Sequence, residues 1–304
     1  MIYTLTLNPA IDYIITADSF SIGKTNRMTG EKIYSGGKGI NVSLMLNNLG
    51  VKSTALGFIA GFTGDKIESD LKEAGIETDF IKLSDGFSRI NIKLTGENET
   101  EINGAGPAIP AESVDILMEK IRSLNKDDIL VLSGSIPSSV SKSLYSDICR
   151  ECKSKGITTI VDGEGKILTD TLKYNPFLIK PNHHELSAIF GAEINTREDA
   201  VTYGLKLKEA GAVNVLVSLA EKGAVLIDEK SQIHSLPAPD GKCINFVGSG
   251  DAMVAGFIAG YLNSHDYENA FVTAVCSGSA CAFSDHFADK SSVDQLKKLI
   301  FSES

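Results

Sequence analysis

The chain has no apolar run of about 18 residues, so a membrane-spanning helix is not expected. Its first twelve residues, MIYTLTLNPAID, alternate like a strand. They lack the basic start, apolar stretch and small-residue cleavage site of a secretory signal. Positive charge is short as well: 29 Lys and Arg stand against 39 Asp and Glu, a net charge of −10. An acidic chain is a poor general partner for nucleic acid or anionic membrane, so any phosphate it holds must be met by local groups. Cysteine is sparse and odd in number, five in all. That predicts reduced thiols and a cytoplasmic location rather than a disulfide framework. Cys149 and Cys152 form one C-x-x-C, but no second pair follows at zinc-ribbon spacing. Helix packing is therefore expected of them before metal or redox chemistry. Two nucleotide signatures are also missing. There is no G-x-x-x-x-G-K-[ST], and G-x-G-x-x-G fails at 248–253 because Met253 stands where the last glycine belongs.

What is present is an ordinary globular balance over 304 residues, 42% hydrophobic and 22% charged, enough to bury a sizeable core. Strand-like runs such as STALGFI, DILVLSG, ITTIVDG, PFLIK and VNVLVSL alternate with helical patterns. Helices are predicted to end at Gly75, Gly156 and Gly211, and one is predicted to be capped by Thr196. Continuous Val, Ile and Leu strands between helices predict an α/β fold with a mostly parallel sheet covered on both faces. Residues 9–35 and 86–106 break the rhythm with shorter alternation, read as antiparallel strands of a small sheet over one edge. No linker, repeat or low-complexity tract appears, so one domain spanning 1–304 is expected.

Three glycine- or turn-rich clusters carry candidate chemistry. The first is NFVGSGDAMVAGF, where Gly248, Ser249, Gly250 and Asp251 precede an apolar helix with small residues. Glycines here serve a tight turn or close packing. A buried helix start also leaves backbone N–H groups that need an acceptor, and an anion is a natural one. An Asp at that position keeps its charge easily and suits proton removal from a hydroxyl attacking phosphorus. The second is YSGGKGIN, with Gly37, Lys38 and Asn41 opening another helix, either as a plain turn or as a holder of a polar small molecule. The third is FLIKPNHHEL, where Lys180 ends a strand, Asn182 caps a helix and Glu185 sits at its third position. A capping box explains that spacing. So does a hydrated Mg²⁺ near the sheet edge, reached by Asn182 and Glu185. His183 and His184 lack a zinc spacing and are not expected to be ligands. In the appendage, Asp12, Arg27 and Arg89 read as solvated surface charges, or as two arginines clamping a phosphate.

Taken in order, GGKGINVS, SGSIP, KPNHHE and VGSGD resemble the ribokinase-like family of carbohydrate kinases along essentially the whole chain. TLTLNPAID, the Asn26-Arg27 pair, ETEINGAGP and SGDAMVAGF resemble its 1-phosphofructokinase branch more narrowly, with tagatose-6-phosphate kinase as the sister reading. The resemblance implies a three-layer α/β domain with a small β-sheet lid, and a homodimer formed through that lid. It implies ATP-dependent phosphorylation of D-fructose 1-phosphate at O6, with ATP and Mg²⁺. Asp251 matches the catalytic base, and the amides of Gly248, Ser249, Gly250 and Asp251 match an anion hole. Asp12, Gly37, Lys38 and Asn41 match sugar-binding positions, and Arg27 and Arg89 lie near the substrate phosphate. Lys180, Asn182 and Glu185 match the nucleotide–Mg²⁺ region, Glu185 acting through water. Ser218 and Gly223 match the turn that approaches ATP. A sugar-phosphate sensor on the same fold, with catalysis lost, is the alternative of another class. Three positions depart from the family pattern. Ser249 replaces an alanine, Ala220 replaces a glycine in the nucleotide turn, and VDGEGK at 161–166 replaces the usual Asp-Ser/Thr. If position 220 needs positive φ, alanine costs about 1 kcal/mol or more there.

Overall fold

A computed structural model describes residues 1–17, 20–95 and 100–302. Residues 18–19 and 96–99 fall inside the two stretches expected to form the small sheet and lie outside the described residues. In chain order the strands and helices begin with β1 (Ile2–Thr6), β2 (Ala10–Thr16), β3 (Gly30–Gly36) and α1 (Lys38–Asn48). There follow β4 (Thr54–Ala60), α2 (Gly61–Glu73), β5 (Glu77–Thr78), β6 (Ile81–Leu83), β7 (Arg89–Thr95) and β8 (Thr100–Asn103). The middle of the chain holds α3 (Ala111–Ser123), β9 (Ile129–Ser133), α4 (Leu144–Lys155), β10 (Thr158–Asp162), α5 (Gly165–Thr169), β11 (Leu178–Ile179) and α6 (His183–Phe190). It ends with α7 (Arg197–Glu209), β12 (Asn214–Ser218), β13 (Ala224–Ile227), β14 (Ile233–Leu236), α8 (Ser249–Ser264), α9 (Tyr267–Ala282) and α10 (Lys290–Ser302).

The large sheet runs β14-β13-β12-β11-β10-β9-β1-β4-β5, with β6 also beside β4. It is parallel from β12 to β5, and antiparallel only at the β12–β13–β14 edge. Its central strands are buried on both faces, which is why they read as unbroken apolar runs. One face packs Leu117 and Ile121 of α3, Ile148, Cys149 and Cys152 of α4, and Leu207 of α7. The other packs Val42 and Leu46 of α1, Phe257 and Ile258 of α8, and Phe271 of α9. Helices on both faces make the fold three-layered, as the resemblance implied. Cys149 and Cys152 are free, buried members of the core, and burial raises both thiols' pKa. Between β1 and β4 the backbones come very close. A Cβ on Gly57 would stand 1.9 Å from the Thr6 carbonyl oxygen.

The second sheet has four strands in the order β3-β2-β7-β8. Both hairpins are antiparallel, but β2 and β7 pair in parallel, which corrects the wholly antiparallel reading. Alternation in sequence fixes which residues share a face and not how two distant hairpins meet. One face carries the row Tyr34, Asp12, Asn91 and Asn103, and the other carries Ile33, Tyr13, Ile92 and Ile102.

Candidate active site

The start of α8 is where the sequence forces an unusual backbone. Gly248, its N-cap, sits at φ 80°, and a Cβ there would also stand 2.8 Å from the Phe287 ring. Only glycine meets both demands. Every residue from Ala252 to Ile258 is buried, so the helix points into the protein interior. Its first intrahelical bond runs from the Ala252 N–H to the Gly248 carbonyl at 2.8 Å, and the Ser249 N–H donates to the Phe246 carbonyl at 3.2 Å. The amides of Gly250 and Asp251 come before that ladder begins and remain available to an anion. The Ser249 hydroxyl oxygen is buried with no hydrogen-bond partner. Asp251 is 6% exposed, and its Oδ2 accepts from Asn41 Nδ2 at 2.7 Å. Burial first, and repulsion from Asp162 second, push its pKa up to about 7, against the pull of Asn41, Lys38 and Lys180.

Beside Asp251 lies a cluster whose central member the sequence did not reveal. Asp162, at the end of β10, is wholly buried. Its Oδ1 lies 3.6 Å from Lys38 Nζ and 3.4 Å from Lys180 Nζ. Neither of its oxygens has a hydrogen bond of ordinary geometry. Burial alone raises its pKa, but the two lysines win and hold it below the usual carboxylate range. Lys38 behaves in mirror image. Burial lowers it, yet Asp162, Asp251, Glu185 and Glu164 raise it overall, so its charge is secure. Lys180 is 4% exposed and its Nζ stands 3.2 Å from where a Cβ on Gly250 would be. Two ammonium groups thus flank the free amides, with one carboxylate balancing them from below. The one sequence trace of Asp162 was the VDG that departs from the usual pattern. Its partners lie 124 positions upstream and 18 downstream, out of reach of any local motif.

These groups form one end of a cleft of about 900 Å³. Ser218, Ala220, Gly223, Asn182 and Glu185 line the same cleft. Both capping-box bonds are made: the Glu185 N–H donates to Asn182 Oδ1, and the Asn182 N–H to Glu185 Oε2, each at 2.8 Å. That leaves Glu185 Oε1 toward Lys38 Nζ, 3.9 Å away. Burial raises the Glu185 carboxyl despite Lys180 and the Asn182 N–H. Among the described residues no three metal-type side chains converge. A hard cation here would rest on Glu185 oxygen, water and phosphate, which suits Mg²⁺ and not zinc. Ala220 does sit at φ 50°, so the departure from glycine carries backbone strain. The rings of His183 and His184 lie 3.9 Å apart, tilted by 36°, and both residues line the cleft.

The sugar-side residues are more scattered. Gly37 caps α1 at φ 118°, where a Cβ would strike the Thr6 methyl at 2.8 Å. Asp12 accepts from Asn91 Nδ2 at 2.8 Å and pairs with Lys93 Nζ at 3.2 Å. Arg89 spends its Nε on the Asn8 carbonyl at 3.1 Å. Arg27 is exposed between β2 and β3 and is not among the residues that line the cleft. Lys38, Asn41, Lys180 and Asp251 are therefore brought together, and Arg89 lies near enough to Asp12 for their charges to interact.

A three-layer fold with free helix-start amides, flanking lysines and a buried carboxylate of raised pKa defines a kinase of small hydroxylated substrates. The family model for the pfkB family carbohydrate kinases matches residues 5–288, and the chain belongs to that family. It is 46% identical to a protein named 1-phosphofructokinase from Bacillus subtilis, over 97% of each chain. It is 36% identical to one named D-tagatose-1-phosphate kinase from Bacillus licheniformis, over 99% of this chain and 98% of that one. A crystal structure titled as a putative phosphofructokinase from Staphylococcus aureus superposes with a TM-score of 0.87 at 41% identity, covering 98% and 97% of the two chains. The protein is a phosphotransferase with a sugar alcohol acceptor, and a sugar-phosphate kinase.

Proposed function

We propose that the chain transfers the γ-phosphoryl group of ATP to O6 of D-fructose 1-phosphate, giving fructose 1,6-bisphosphate and ADP. The carrying observation is the buried Asp251, pushed up to about 7, beside the free Gly250 and Asp251 amides. A base with a pKa near neutrality is ionised often enough to act and basic enough to take a hydroxyl proton. Asp251 accepts the proton of the O6 hydroxyl. O6 then bonds to the γ-phosphorus as the bond from that phosphorus to the β-bridging oxygen breaks, and ADP leaves with the electrons. The helix-start amides and Lys38 hold the charge that spreads over the transferring oxygens, and Lys180 stands over the same place. Ser218, Gly223 and Asn182 border the nucleotide. Glu185 would hold a hydrated Mg²⁺, which supplies charge neutralisation at the phosphates. Asp12, Gly37 and Asn41 orient the sugar, and Arg89 and Arg27 serve its existing phosphate. The small sheet acts as a lid that keeps water from the phosphoryl group.

The relative named D-tagatose-1-phosphate kinase favours a second reading. Tagatose 1-phosphate differs from fructose 1-phosphate only at C4, so the same O6 attack serves both. ADP release should be measured with fructose 1-phosphate, tagatose 1-phosphate, fructose 6-phosphate and tagatose 6-phosphate. The highest kcat/KM is expected with fructose 1-phosphate. A clear preference for either 6-phosphate overturns the assignment, and release with none of the four overturns the kinase reading of Asp251.

The outer face of the small sheet supports a homodimer. Ile33, Tyr13, Ile92 and Ile102 form one row across its four strands, and Ile33 and Ile102 are 55% and 59% exposed. A second copy burying that row is expected, and Ile33→Lys should release monomers in light scattering. A dimer unchanged by that variant would place the contact elsewhere.

A further inference from the structure

The segment Asp285-His286-Phe287 joins α9 to α10 and touches both halves of the proposed site. Phe287 packs its ring against Gly248, where a Cβ would be only 2.8 Å away. Its neighbour His286 meets it edge-on, with centroids 4.8 Å apart at 80°. The His286 ring in turn stacks on Tyr34 of β3 at 4.2 Å and 21°. Tyr34 is the register partner of Asp12, so it stands on the face of the small sheet that carries Asp12. Asp285 adds an exposed pair with Lys32 at 3.4 Å, worth little by itself. The backbone of the segment is pinned from the main domain. Asn245 Nδ2 donates to the Asp285 carbonyl at 3.1 Å, and Asn48 Nδ2 to the Ala288 carbonyl at 3.1 Å. A continuous line of packed rings therefore runs from the Asp12 face, through Tyr34, His286 and Phe287, to the turn that opens α8.

We propose that His286 is a positioning residue, a rigid spacer that sets the distance between the sugar-bearing face of the small sheet and the start of α8. This rests on the reading of Asp12 as a sugar contact and Asp251 as the base. Phosphoryl transfer demands that the hydroxyl and the phosphorus meet within about 3–3.5 Å, and a misplacement of about 1 Å costs on the order of a hundredfold. A hydroxyl presented from one sheet to a phosphoryl held by a helix of another layer needs a fixed spacing, and a flat ring stacked on a second ring supplies it. A flexible aliphatic chain in its place would not.

The experiment compares His286→Ala, His286→Phe and Tyr34→Ala. His286→Ala is expected to lower turnover about tenfold or more while KM for ATP stays within about twofold. The ratio of ADP released to sugar bisphosphate formed should rise above one, because water replaces a displaced hydroxyl. A purely structural defect leaves that ratio at one. His286→Phe keeps the stack and should restore turnover and ratio. Tyr34→Ala should match His286→Ala, and the double variant should be no worse than either single, as expected for two partners in one contact. A ratio of one in His286→Ala, no recovery with His286→Phe, or additive losses overturns the proposal. Hydrogen exchange without any sugar separates it from the functional reading. His286→Ala should speed exchange in 30–36 and 244–251 together. If it does, and the parent chain phosphorylates no ketose phosphate, the mechanical link stands and the functional reading falls. If the parent is active and neither exchange nor ratio moves, the link is refuted.

Discussion

Replacing Asp251 by Asn should make the protein more stable and almost inactive, and the stability gain should depend on pH. The carboxyl is buried, and its pKa lies about 7 against 3.8 for the free side chain. That gap is about three units, each worth about 1.4 kcal/mol, so the ionised form costs the native state up to about 4 kcal/mol. The folded pKa is the higher one. Below pH 4 both folded and unfolded chains are protonated there, and the cost is absent. Between pH 4 and 7 the unfolded chain releases its proton and the folded chain does not, so native stability falls. Above pH 7 the full cost is present. Asparagine keeps the shape and an oxygen for Asn41 and carries no charge, so it removes the whole term. At about 2 °C per kcal/mol for a chain of this size, the gain at pH 8 is up to about 8 °C. At pH 5 the gap in play is the difference between 5 and 3.8, so the gain should be less than half as large. Calorimetry at the two pH values reads it directly, and turnover should fall at least about a hundredfold in the same variant. Equal gains at pH 5 and pH 8 would refute the burial argument, and near-normal turnover would refute the base.

Three further outcomes follow from the geometry. Asp162→Asn removes the charge that repels Asp251 and balances Lys38 and Lys180. The acid limb of the kcat/KM profile should move below about 7 and turnover should drop about tenfold or more, whereas an unmoved limb would deny the coupling. Ala220→Gly relieves the φ of 50° at a cost in unfolded-chain entropy. A net gain of up to about 1 kcal/mol is expected from urea midpoints, with KM for ATP unchanged or lower, and a clear loss of stability contradicts the strain. Gly57→Ala would drive a Cβ to 1.9 Å from the Thr6 carbonyl and must part β1 from β4. A loss of about 3 kcal/mol or more is expected in the same assay, and a midpoint equal to the parent's would refute the close strand approach.

Much of this was open to reading in one dimension. The helix ends before Gly75, Gly156 and Gly211, the Thr196 and Asn182 caps and the buried start of α8 follow from local rules, because a cap or a glycine acts on its own neighbours. The C-x-x-C pair fell on the buried face of α4, as helical spacing predicts. What could not be read is what depends on the meeting of distant segments. The parallel contact of β2 with β7 joins residues 79 apart, as the Asp12–Asn91 bond does. Asp162 looks like any strand-ending acid until Lys38 and Lys180 arrive from other elements. His286 stands in no local motif, and its stack on Tyr34 joins residues 252 apart.

The same meeting of segments explains how a chain with a net charge of −10 can serve phosphate chemistry. Surface charges act through water and salt, and beyond a Debye length of about 8 Å they are largely screened. Lys180, 4% exposed, is held where screening is weak, and Lys38, its side chain 32% exposed, stands beside it at the same carboxylate. Burying an ammonium group is costly without a counter-charge, and Asp162 supplies one that is itself out of reach of solvent. The fold makes this possible because β10, β11 and β12 are parallel neighbours, so Asp162, Lys180 and Ser218 arrive at the same edge of the sheet. The helices α1, α6 and α8 begin beside the cleft, and at α8 the Gly250 and Asp251 amides are left unpaired there. Local positive potential is thus a product of topology rather than composition. Asp251, placed among these cations yet pushed up to about 7 by burial and by Asp162, is poised to exchange a proton near neutral pH.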